Sequence, residues 1–179
     1  MRVSTLVCAS ACFSSALGAI SWTLEKSANP SQDESSAYER IEAAMTAAAA
    51  RHQRLTPGIS KTIRVYYSTG VPTAEANFNG DLRFGANAAY QTERTALHEI
   101  AHTLGVGQRQ AFNDHCDNND WPTATPLLQS WDGGSATISC GGGHFWPYGL
   151  NFETEWSDEA GDRHCLLVEA MLNDGMAAY

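Results

Sequence analysis

The chain has 179 residues, 43% of them hydrophobic and 17% charged. That length and composition suit one domain with its own core and exclude an intrinsically disordered chain. The formal net charge of −9 argues against nucleic acid or an anionic membrane as a partner, since both attract basic surfaces.

In chain order, residues 1–19 read as an export signal. Arg2 supplies the positive start, residues 3–19 are uncharged and mostly apolar or small, and Ala16-Leu17-Gly18-Ala19 offers small residues for cleavage near Ala19. The run is short for a membrane span and carries several serines. A secreted, extracellular protein without membrane attachment after cleavage is expected. Removing the leader takes Cys8 and Cys12 with it and leaves Cys116, Cys140 and Cys165. An odd set allows at most one internal disulfide. Cys116–Cys140 is the expected bridge, tying down the Asn/Asp/Gly-rich stretch between them, and Cys165 in Cys165-Leu166-Leu167-Val168 is expected to be a buried thiol.

Residues 20–34 read as a polar linker and 35–179 as a single folded domain. An Ala/Glu-rich helix is expected over 35–52, with Tyr38, Ile41, Met45 and Ala48 or Ala49 on one face, stopped by Thr56-Pro57-Gly58. Residues 62–68 are β-branched and aromatic and predict a strand. Residues 73–78 and 81–85, joined by Asn79-Gly80, predict a hairpin with a type I′ turn. A helix follows, opened by Thr92 as N-cap with Glu93 in its first turn and closed by Gly105. Leu97, Ile100, Ala101 and Leu104 form its core-facing stripe. From Gly105 to about residue 150 the chain reads as irregular, and a last helix from Ser157 or Ala160 to Leu172 closes the domain.

The stretch His98-Glu99-Ile100-Ala101-His102-Thr103-Leu104-Gly105 carries the most chemistry. Residues four apart lie on one helix face, so His98 and His102 can take adjacent corners of a tetrahedral metal ion. Glu99 stands about 100° further round the helix, within reach of a water on that metal. This H-E-x-x-H arrangement resembles that of the zincin metallopeptidases. The order of elements also resembles the zincin plan: an α+β single domain in which a small, mostly antiparallel or mixed sheet packs on an active-site helix, with an irregular C-terminal half closed by a helix. By that resemblance 35–179 is the catalytic domain of a zinc (Zn2+) peptidase, residues 81–84 form the sheet edge that holds an extended peptide or protein substrate, and the protein acts as a monomer. Glu99 is then the general base that takes a proton from a zinc-activated water and later protonates the leaving amine.

Extended through Gly105, the motif is similar to the metzincin pattern H-E-x-x-H-x-x-G-x-x-H, but Gln108 stands where the third histidine belongs. A neutral amide is a poor zinc ligand, so the third ligand must come from elsewhere. His144, after Gly141-Gly142-Gly143, ranks first because glycines permit a close backbone approach to the helix. A carboxylate such as Glu153 or Glu155 ranks second, and His115 third. His52 and His164 are expected to be surface or structural. Tyr148 has the option of supplying an oxyanion donor, though packing is the simpler role. Met171 invites comparison with the metzincin methionine turn but reads as core, and Met176 lies near a fraying end. The competing reading is a secreted module without turnover, in which Trp121, Trp131, Trp146 and Trp156 bind carbohydrate or protein and any metal is structural.

Overall fold

A computed structural model describes residues 19–178, so the expected leader lies outside the described residues apart from Ala19. Among the described residues no helix is long and apolar enough to cross a membrane. The protein is an α+β domain whose elements run β1 (Ile20–Glu25), α1 (Gln32–Leu55), β2 (Lys61–Tyr67), β3 (Ala74–Ala76), β4 (Asp81–Phe84), α2 (Glu93–Leu104), α3 (Gln110–Asn118), α4 (Ala124–Asp132), β5 (Ser139–Gly141), β6 (His144–Trp146) and α5 (Asp158–Asn173). Short 3-10 turns precede α2 and α5.

Local chemistry explains the helix ends. α1 begins three residues before the expected start because Ser31 and Glu34 form a capping box: the Ser31 hydroxyl accepts from the Glu34 N–H, and the Glu34 carboxylate accepts from the Ser31 N–H at 2.7 Å. Its buried residues Ala37, Tyr38, Ile41, Ala44, Met45, Ala48 and His52 recur at helical spacing. α2 begins at the Thr92 cap and ends at Gly105, whose φ of 133° suits glycine. Leu97, Ile100, Ala101 and Leu104 are all buried, as the stripe predicts.

The main sheet has strand order β1-β2-β4-β3. β1 and β2 are parallel, as are β2 and β4, and only β3 runs antiparallel, against β4. Three expectations change here. Residues 20–25 belong to the sheet rather than to a linker: Ile20, Trp22 and Leu24 alternate with polar residues, and the strand pairs with β2 from Ile20↔Lys61 onward. Residues 81–84 are not the edge. β4 lies between β2 and β3, because Leu82 and Phe84 are fully buried and demand cover. The edge is β3, whose Ala-Glu-Ala sequence has little to bury. The hairpin also turns through a longer loop than a two-residue type I′, with the Asn77 side chain accepting from the N–H groups of Asn79 and Asp81.

The region after Gly105 is likewise more regular than its composition suggests. α3 buries only Ala111 and Phe112 and is otherwise polar, so it shows little apolar periodicity. The β5–β6 hairpin is stapled to α3 by a Cys116–Cys140 disulfide, as expected, and Cys165 is a buried free thiol. α1 packs on β1 and β2, α2 on β2, β3 and β4, and helices α1, α2 and α5 touch one another pairwise. α2 is therefore buried on most sides, leaving one face for a cleft.

Candidate metal centre

His98 and His102 emerge from the cleft-facing side of α2 with their Nε2 atoms 3.2 Å apart. That separation matches two corners of a tetrahedral zinc site, roughly 3.3 Å for Zn–N bonds of about 2.0–2.1 Å. β6 brings in His144, whose ring stacks on His98 at 5.1 Å between centroids and lies 5.2 Å from the His102 ring. One ligand atom from each of the three histidines falls within 4.8 Å of the others, so the group can hold a metal ion.

Hydrogen bonds on the far side of the rings fix which nitrogens point inward. His98 Nδ1 lies 2.8 Å from the Gly149 carbonyl, and His102 Nδ1 lies 2.8 Å from the Val106 carbonyl. Carbonyls only accept, so both Nδ1 atoms donate and both Nε2 atoms carry lone pairs. Two lone pairs facing each other at this distance repel unless a cation lies between them. Burial, reinforced by neighbouring His102, pushes His98 down to about 3, and burial also lowers His102. Both rings are thus kept neutral, the form that binds metal. The donor set fits a divalent metal of the zinc type.

The approach of β6 to α2 depends on glycine at one place. Gly107 has φ +63°, and a Cβ there would sit 2.1 Å from the Gly143 carbonyl oxygen. The glycine run was expected to allow a tight approach, and the contact falls just beyond the end of α2. Gly149, whose carbonyl holds His98, is packed as closely: a Cβ there would lie 2.0 Å from the Phe145 carbonyl oxygen.

Glu99 is 4% exposed, and its Oε2 is buried with no hydrogen-bond partner among the described residues. Burial, with a smaller contribution from Glu75, pushes its carboxyl up to about 8, and Arg94 opposes the shift. A dication beside it favours the carboxylate instead. The histidines and Glu99 line one cleft of about 530 Å³, together with Thr73, the edge strand Ala74–Ala76, Tyr90, Arg94, Gln108 and Phe152. Thr73 and Asn77 bond β4 through Gly85 and Asp81, at 2.7 Å and 3.0 Å. By the alternation of an antiparallel pair, Ala74 and Ala76 turn their backbone N–H and C=O groups to the outer edge.

The other candidates are elsewhere. Glu153 pairs with Arg94 at 2.9 Å, and Glu155 accepts from the Asn151 N–H at 3.2 Å. His115 contacts the Asp120 carbonyl and stacks on Trp121. Gln108 lines the same cleft. The Tyr148 hydroxyl bonds Asp132 at 2.8 Å and contacts Arg163, outside the cleft, so it is not placed as an oxyanion donor. Met171 is core; Met176 is fully buried too, packed beneath Gly105 rather than fraying. His52 bonds Thr56, and His164 lies between the Tyr148 and Leu97 carbonyls, both as structural histidines.

Arg94, Gly149 and the β3 edge were not anticipated. Arg94 lies one helical turn before His98 and bonds the Leu150 carbonyl at 2.8 Å, which steadies the loop that holds His98. Its position four residues ahead of a candidate ligand is the one signal the sequence offered. The chain matches no protein-family model, no curated protein and no solved structure.

Proposed function

We propose that the protein is a secreted, zinc-dependent metalloendopeptidase of zincin type, with a peptide or protein as substrate. One observation carries the reading: three histidines able to share one cation and a buried carboxylate open onto the same cleft, along which an unpaired strand edge runs. His98, His102 and His144 would hold the zinc. When bound, zinc polarises a carbonyl and lowers the pKa of water. An extended peptide would pair with the outward N–H and C=O groups of Ala74 and Ala76 as an added strand. A scissile carbonyl of that peptide would then lie in the cleft that the histidines line. Glu99 takes a proton from the attacking water on a carboxylate oxygen and passes it to the leaving nitrogen. The buried environment of Glu99 supports the first step, because it raises the proton affinity of the carboxylate above that of a solvated one.

The alternative, a module without turnover, drew its strength from Gln108 in a ligand position; the grouping of His144 with His98 and His102 favours the catalytic reading over it. The test is Glu99→Gln. It should retain metal and lose hydrolysis by about 10²–10⁴-fold, whereas His98→Ala should lose both. Full activity of Glu99→Gln on casein or gelatin refutes the proposed base.

A further inference from the structure

Phe152 is 62% exposed, the one large hydrophobic so exposed among the described residues. Lone apolar side chains on a surface are commonplace. Two features separate this one from that case. The first is rigidity. Asn151 is fixed by its N–H to Glu155 at 3.2 Å and by its amide to the Phe145 carbonyl at 3.0 Å, while Glu153 is pinned by Arg94, a side chain only 5% exposed. The phenyl ring is therefore held out into water by a clamped backbone. The second is company. Phe152 lines the cleft that contains the three histidines, and Tyr90 lines it as well. Arg94 links them, its guanidinium 6.0 Å from the Tyr90 ring centre and bonded to the residue after Phe152.

Arg94 does not turn this wall into an anion site. Its nitrogens are engaged by Glu153, the Leu150 carbonyl and the Thr95 hydroxyl. Glu75, which lines the same cleft, is paired with Arg83 at 2.8 Å and so offers little free charge to a basic group. What remains is aromatic surface over a neutralised floor, which gains most from covering another large apolar group.

We propose that Phe152 and Tyr90 form a specificity subsite for a large apolar side chain, aromatic by preference, on a peptide lying across the cleft. This rests on the peptidase reading for its choice of a peptide ligand. The test uses zinc-loaded Glu99→Gln protein, so that binding is read without turnover. Short glycine-serine peptides carrying a single Phe, Ala, Asp or Lys are titrated by calorimetry. The Phe peptide should bind about tenfold or more tightly than the other three. Adding Phe152→Ala should bring it to within about twofold of the Ala peptide, and Phe152→Trp should keep the preference. A preference for Lys or Asp, no measurable binding of the Phe peptide, or a Phe preference that survives Phe152→Ala overturns the subsite. Hydrolysis by the wild-type protein is scored separately. Selective binding without cleavage leaves the subsite standing and removes the peptidase reading, and cleavage without selectivity does the reverse.

Discussion

Replacing Gly107 by Ala tests whether the backbone contact between the end of α2 and the β5–β6 hairpin sets the third ligand. A Cβ at this position would lie 2.1 Å from the Gly143 oxygen and 2.7 Å from the Gly143 Cα, and real Cβ contacts essentially never fall below 3.0 Å. Backbone rather than a flexible side chain is in the way, so the hairpin must retreat by about 0.9 Å to restore even that limit. The residue after Gly143 is His144, and metal–ligand distances tolerate only about 0.2 Å. Zinc affinity should therefore fall about 10–100-fold, or roughly 1.4–2.7 kcal/mol. The left-handed φ adds about 1–2 kcal/mol of instability with or without metal. Competition titration against a chromophoric chelator measures the first effect, and thermal melts of metal-free protein the second. If the loss acts through His144, the double variant Gly107→Ala/His144→Ala binds zinc no more weakly than His144→Ala alone. Gly134→Ala, with nothing within 4 Å of its added Cβ, is the silent control. Zinc binding by Gly107→Ala within about twofold of wild type refutes the reasoning.

The Cys116–Cys140 bridge closes a span of 24 residues between α3 and β5. Serine at both positions should lower stability by about 3 kcal/mol and weaken zinc binding, because Cys140 shares its hairpin with His144; denaturant melts and the same chelator titration read both, and an unchanged midpoint counts against the account. His52 is 1% exposed, and burial pushes its imidazole down to about 3. An unfolded histidine titrates near 6.5, so below that pH the unfolded chain binds a proton that the folded chain refuses. Stability from this group falls as pH drops from about 6.5 toward 3, costing about 3 kcal/mol by pH 4.5. In chelator-treated protein, His52→Gln should flatten the fall in stability over that window, and a slope equal to wild type contradicts the assignment.

How much of this was legible in the sequence depended on how local each signal was. α2 was readable because its cap, its stripe, its histidines and its terminal glycine all lie within fourteen consecutive residues. His144 ranked first among third ligands because Gly142 and Gly143 signalled a close approach, which the structure places at Gly107. Strand order was not readable. β4 is internal because Val65 pairs with Leu82 across a long connection, and nothing in 81–84 alone reports that. β1 was hidden by its position directly after an apolar run, and α3 by a polar surface that buries only two residues. The cleft wall was the least legible part, since Tyr90, Arg94 and Phe152 meet only through the fold.

X-ray absorption at the zinc edge addresses the shared cation itself. Protein supplied with zinc should retain one ion per chain, with three imidazole nitrogens at about 2.0–2.1 Å, and His144→Ala should lose one of the three. Failure to retain zinc, or an imidazole shell unchanged in His144→Ala, contradicts the assembly of His98, His102 and His144 around a single metal.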